Sequence, residues 1–395
     1  MKRLLFVVLL ISLVLGSCVF VFDPWTKGTR IDGSLYWSDL AVAVDGNVYF
    51  YNSRGNLFEL SPEGEIKSIY SLGEGEWFYC GPSIDDSGEL YVGTTKGRLL
   101  KISPEGELIW YFDSEESDSS ARGGPSIGSD GRVYFGTTGG ILFCLDGETG
   151  EMIWSIDIGR DIWSKPAITA DGTIYFGTLS GNVEKQLFYA VKEGEVLWTF
   201  ETEEESTGFY SSPAIGANGV VYTGCHDGFL YALSKEGVLL WNLKITSEDE
   251  SAIASSPVIG PDGTIYIGTM EGFVYAISVN GQEIEWIRDL SSKSEPRARI
   301  TTTPLISDSG HIYVVGDHGA RLFVFDENGD LVRSESTGNS TASSPVMTEG
   351  GRIYFGANGN DIGSWSIVFS LETGSSPAGP WPMFGRDAQR TSRAD

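Results

Sequence analysis

The side chains able to ligate a metal or attack a substrate are few and scattered. The three histidines are His226, His311 and His318. His226 and His318 stand in matching turns, GCHDG and GDHG, but in segments too far apart in the chain to point to a shared metal. The stretch DENGD, residues 326–330, begins like a calcium loop. Leu331 then stands where the sixth-position glycine belongs, and Thr337 where the closing glutamate belongs, so it reads as an ordinary turn. Cys80, Cys144 and Cys225 are odd in number, widely spaced and without a CxxC pair, which supports neither a disulfide framework nor a zinc site. There is no G-x-S-x-G, no HExxH and no phosphate loop. These residues predict no catalytic group, no metal and no cofactor.

A different set of side chains stands out once the chain is aligned on itself. SSPAIGANGVVYTG, from Ser211, has close copies in GGPSIGSDGRVYFG from Gly123, SSPVIGPDGTIYIG from Ser255 and SSPVMTEGGRIYFG from Ser343. The residue just before each S-x-P triplet is Trp37, Tyr79, Arg122, Trp163, Tyr210, Ala254, Thr301 and Ala342 in turn. Five successive repeats therefore offer a large flat group, and the next three a small one. Flat rings with a polar edge suit an extended peptide or a sugar face and are frequent interface anchors. Trp37, Tyr79, Arg122, Trp163 and Tyr210 are the candidate binding residues. The bland alternative is a plug that covers strand ends. Acidic runs (DSEESDSS from Asp113, ETEEES from Glu201, SEDES from Ser247) precede three of these positions and read as linkers that rim the crescent with negative charge.

Positioning these residues requires a repeated element. The repeat tyrosine falls at Tyr49, Tyr91, Tyr134, Tyr175, Tyr222, Tyr266, Tyr313 and Tyr354, every 41 to 47 residues. Each unit holds four short apolar runs separated by Gly, Asn-Gly or Asp-Gly turns, the pattern of one propeller blade. The predicted fold is all-β: an eight-bladed β-propeller of four-stranded antiparallel blades over residues 25–375. The eighth repeat lacks its outer run. WTKGTRIDGSLYWSDL from Trp25 aligns with WTFETEEESTGFYSSP from Trp198, so the N-terminal strand is expected to complete the last blade. The alternative is seven blades and an unpaired repeat. Trp25, Trp110, Trp154, Trp198, Trp241 and Trp286 occupy one repeat position and are read as docking residues between blades.

The 395 residues carry a formal charge of −27, which disfavours nucleic acid and anionic headgroups and makes a basic or neutral partner easier to accommodate. Residues 1–17 have two basic residues and an apolar run too short to span a bilayer comfortably, an export signal. The ending LGSC resembles the lipobox of bacterial lipoproteins. That resemblance implies lipidation of Cys18, a short tether over 18–24 and anchoring by lipid alone; a plain secretory signal cut elsewhere is the alternative.

CLDGETGEMIW, residues 144–154, resembles the tryptophan-docking motif of PQQ-type propellers, with Asp146, Thr149, Gly150 and Trp154 matching and Cys144 in place of alanine. Within that superfamily one branch holds PQQ- and calcium-dependent dehydrogenases, whose vicinal cysteine pair is missing here. The other holds non-catalytic BamB-like lipoproteins that bind proteins. The resemblance to the second branch implies a non-enzymatic envelope scaffold, monomeric within a complex, that binds a protein or peptide. A neutral-glycan module is the alternative. The tail WPMFGRDAQRTS, within 376–395, is expected to pack back on the rim through Trp381 and Phe384 or to trail from it.

Overall fold

The computed structural model describes residues 27–35, 38–116, 119–246, 252–290, 299–317, 321–336, 343–358, 365–379, 383, 385–387 and 393–394. Among these the structure is all-β, and eight sheets of antiparallel strands follow one another along the chain. Blade 5 shows the pattern. Its strands A to D are Ala214–Ile215, Val221–Gly224, Phe229–Leu233 and Leu239–Lys244. Strand A is innermost and short; B and C are almost wholly buried apolar runs; D alternates half-buried and exposed positions at the perimeter. Strands covered on both faces need such continuous apolar sequence, and the outermost one does not.

The pairing register explains the repeat consensus. Across blade 5 one row reads Ala214, Tyr222, Ala232, Trp241. The same row reads Ala167, Tyr175, Ala190, Trp198 in blade 4 and Val258, Tyr266, Ala276, Trp286 in blade 6. In blade 3 it is Ser126, Tyr134, Cys144, Trp154, so Cys144 fills the small position between two rings. A bulge follows the small residue in each of these blades and adds local twist. The tryptophan then reaches the next blade. The ring of Trp241 lies over Gly281, and its Nε1 donates to Val279 O at 3.2 Å. Trp198 and Trp286 donate likewise to Lys235 O and Glu327 O. Trp110 donates to Gly147 O at 3.2 Å, and Trp154 packs over Gly194.

The ring closes as the aligned termini predict. Blade 8 takes strands A to C from Val346–Met347, Arg352–Asn358 and Trp365–Glu372, and strand D from Lys27–Asp32 at the other end of the chain. The pairing runs from Lys27 opposite Ser370 to Asp32 opposite Trp365. Trp25 lies outside the described residues. The residue opposite Ser370, in the row that tryptophan holds in blades 2 to 6, is Lys27. Beyond the strand, Leu35 N donates to Asn358 Oδ1 at 2.8 Å and Ser366 Oγ to Gly33 O at 2.7 Å, which locks the seam.

A second seam runs round the axis. In the S-x-P triplet the first hydroxyl bonds within its own blade, as Ser164 Oγ does to Gly177 O. The second position links blades. Lys165 N donates to Ser212 Oγ, Ser212 N to Ser256 Oγ, Ser256 N to Thr303 Oγ1, Thr303 N to Ser344 Oγ and Ser344 N to Asp39 Oδ1, at 2.8 to 3.4 Å. This chain spans blades 4 to 8 and returns to blade 1. Blades 2 and 3 have Gly81 and Gly124 there, and the Lys165 side chain enters that arc to reach Ser83 Oγ of blade 2 at 2.7 Å.

The acidic run Glu201–Ser206 departs from the expected linker. It belongs to the 14-residue strand D of blade 4, Glu195–Gly208, paired with an equally long strand C, Leu179–Lys192. Gln186 holds this extension by donating from Nε2 to Ser206 O and from its backbone N to Thr202 Oγ1.

Candidate functional site

The residues preceding the S-x-P triplets converge at the end of the axis where the chain enters strand A. There they line a cavity of about 130 Å³ with Tyr79, Arg122, Trp163, Tyr210, Ala254 and Thr301 round its mouth. Trp37 and Ala342 lie outside the described residues. Strand A supplies the positioning. In blades 4 to 8 the pre-proline residue is pinned by the inter-blade bonds, so the side chain two residues earlier projects from a fixed point.

The large groups form one continuous stack. The Arg122 guanidinium lies 4.5 Å from the centroid of Tyr79 and 4.0 Å from that of Trp163, slotted between the two rings. Trp163 meets Tyr210 edge to face at 5.2 Å, and Tyr210 stacks on His226 at 3.9 Å. His226 accepts or donates at Nδ1 with Thr207 Oγ1 at 2.9 Å, and burial lowers its pKa to about 4. The imidazole is therefore neutral at physiological pH. Arg122 Nε donates to Ser120 Oγ at 3.3 Å, and no carboxylate pairs with the guanidinium among the described residues.

The opposite half of the mouth is different. It presents hydroxyls and acids: Ser256, Thr303 and Ser344 of the inter-blade chain, with Asp39. Thr301 Oγ1 donates to Asp317 Oδ2 at 2.7 Å, and burial pushes the Asp317 carboxyl up to about 7. The site is thus polar in one direction, cationic and aromatic over blades 2 to 5, hydroxylic and acidic over blades 6 to 1.

Cys80 lines the same cavity, with its thiol pushed up to about 12 by burial. Cys144 and Cys225 are buried within blades as free thiols. Among the described residues no group of three His, Cys, Asp or Glu could hold a metal. His311 sits in a strand A–B turn on Ser309, and His318, like Cys18, lies outside the described residues.

Described parts of the chain's own tail pack on strand A ends at the far end of the axis. Pro377 bridges to Ser307, Ala378 N donates to Ile306 O, and Met383 is fully buried in the core cluster that includes Leu305 and Met347. Arg393–Ala394 then pairs in parallel with Ile168–Thr169, strand A of blade 4. The described part of the tail lies on the ends of strands A. Trp381 and Phe384 are outside the described residues.

The family model described as outer membrane protein assembly factor BamB matches residues 95–332. The chain belongs to that family. No curated protein matches the chain by sequence. Among solved structures, BamB from Moraxella catarrhalis is 18% identical, covers 87% of this chain and 96% of its own, and superposes with a TM-score of 0.64. Quinohemoprotein alcohol dehydrogenase from Comamonas testosteroni is 13% identical over 88% of this chain and 76% of its own, with a TM-score of 0.67. The C-terminal WD40 domain of Sif2 is 10% identical over 88% and 99%, with a TM-score of 0.66. At these identities the likeness is one of fold, shared by an assembly factor, an oxidoreductase and a WD40 domain.

Proposed function

We propose that this chain is a non-enzymatic cell-envelope scaffold, held at a membrane through lipid on Cys18, that binds an extended polypeptide of a partner protein at the aromatic mouth. Family membership supports an assembly role in the envelope. The observation that carries the site is the stack of Tyr79, Arg122, Trp163 and Tyr210 beside a hydroxyl-lined half. Such a surface is rigid before binding, which lowers the ordering cost of association.

Two other ligands have less support. A sugar or a flat quinone needs a free ring face. Arg122 covers one face each of Tyr79 and Trp163, and His226 covers one of Tyr210, so each ring keeps at most one face for stacking. The cavity is also close in size to one that holds a single benzene ring. A chain end or one side chain fits that volume better than a saccharide or a tricyclic cofactor.

The test is affinity capture from detergent-solubilised envelope with the full chain and with a Trp163→Ala/Tyr210→Ala variant of native melting temperature. The expected result is a defined set of partner proteins retained by the first and lost from the second. Equal retention by both would remove the mouth as the binding site.

A further inference from the structure

We propose that the mouth captures the carboxylate-bearing end of an extended polypeptide, with the carboxylate seated edge-on against Arg122. The inference rests on the mouth being the partner site and names the group it reads. The first ground is the geometry of Arg122. With the Tyr79 and Trp163 rings 4.5 and 4.0 Å from it, the guanidinium has its faces crowded and its edge, where the terminal nitrogens lie, left for a ligand. A planar fork presented edge-on matches a carboxylate with two parallel N–H···O bonds. The Ser120 hydroxyl takes only Nε.

The second ground is electrostatic. The chain carries twice as many acidic as basic residues, 54 against 27, yet among the described residues no carboxylate pairs with Arg122. Asp161 is close enough to feel its charge, but burial dominates and raises the Asp161 pKa. A cation left open in so acidic a protein, half-buried and held by two rings, is a recognition group. A doubly charged phosphate would meet Asp39 across a small mouth, whereas a single carboxylate halves that repulsion.

The third ground is the shape of the axis. The described parts of the C-terminal tail lie on the strand A ends of blades 7 and 4 at the far side, which narrows that exit. A small cavity reached from one face takes a chain end more readily than a continuous strand. The acidic hairpin of blade 4 beside it would favour basic residues upstream of that end.

The experiment uses the full-length chain, immobilised, and three pools of N-acetylated hexapeptides matched in composition apart from one glutamate. The first pool ends in a free carboxylate, the second is C-terminally amidated, and the third is amidated with one internal glutamate. Retention is quantified by mass spectrometry for the native chain, for Arg122→Lys, which keeps the charge and loses the fork, and for Arg122→Gln. The expected result is retention of the free-carboxylate pool, at least tenfold weaker for the amidated pool and for both variants. Equal retention of the amidated pool, unchanged retention by Arg122→Lys, or no retention at all would overturn the proposal. Retention of the internal-glutamate pool alone would overturn the chain-end assignment. If envelope partners are still captured through the mouth in those cases, the scaffold reading survives and only this inference fails.

Discussion

Arg122 and His226 stand at two points of one stack. His226 has its pKa lowered from 6.5 to about 4 by burial, so the unfolded chain binds the extra proton more readily than the folded one between those values. Stability from this residue is present above about pH 6.5 and is lost as pH falls toward 4. The loss is of order 3 kcal/mol once the pH is below both values. The melting temperature of the native protein should therefore drop between pH 6.5 and 4 more steeply than that of His226→Gln. Parallel curves for the two would refute the buried-neutral assignment. That Tyr79, Arg122, Trp163 and Tyr210 lie round one mouth was legible in the sequence, because aligned repeats put equivalent positions at equivalent places round an axis. The slotting of Arg122 between Tyr79 and Trp163 was not, since it depends on side-chain directions that the repeat does not encode. The pairing of Tyr210 with His226 was also hidden, because His226 looked like a turn residue and its contact is with a residue of another repeat position.

At the scale of the element, blades stand because each buries its faces on its neighbours. The row Ala, Tyr, Ala, Trp places one tryptophan where it can cover a glycine of the next blade. Trp241→Ala should lower stability by about 3 kcal/mol, read as a fall in the denaturant midpoint. Gly281 has a positive φ, and a Cβ there would meet the Trp241 ring, so Gly281→Ala is destabilising too. The two should be strongly non-additive, because the ring that the new methyl strikes is absent in the double variant. Additive losses would show that the ring and the glycine act independently. The blade count and strand order were readable from period and turn chemistry. The role of the second hydroxyl in S-x-P left a trace, Ser, Thr or Asp at that place in repeats 1 and 5 to 8, yet its partners sit in adjacent blades and became visible only in the ring. The long hairpin of blade 4 was misread as a linker because charged residues in an exposed strand extension look like a loop.

At the scale of the molecule, two ends of one chain meet in blade 8, and this closure makes eight local units cooperative. A chain lacking residues 18–35 should lose the outer strand of blade 8 and the Asn358 and Ser366 bonds to the N-terminal segment. It is expected to melt at a lower temperature and over a broader range than the full chain, as seen by calorimetry. An unchanged, equally sharp transition would contradict the closure. The tail could not be read from the repeat, because it belongs to no repeat and its contacts with blades 7 and 4 have no counterpart to align with. The central claim is that partners engage the axial mouth and not the perimeter, although strands D leave apolar groups such as Leu240 exposed there. The most direct measurement places a photo-reactive phenylalanine at Tyr210 or at Leu240 in the full-length protein and irradiates intact envelopes. Discrete protein adducts from position 210 and none from 240 are predicted. Adducts from position 240 with none from 210 would place binding on the outer strands and contradict the account.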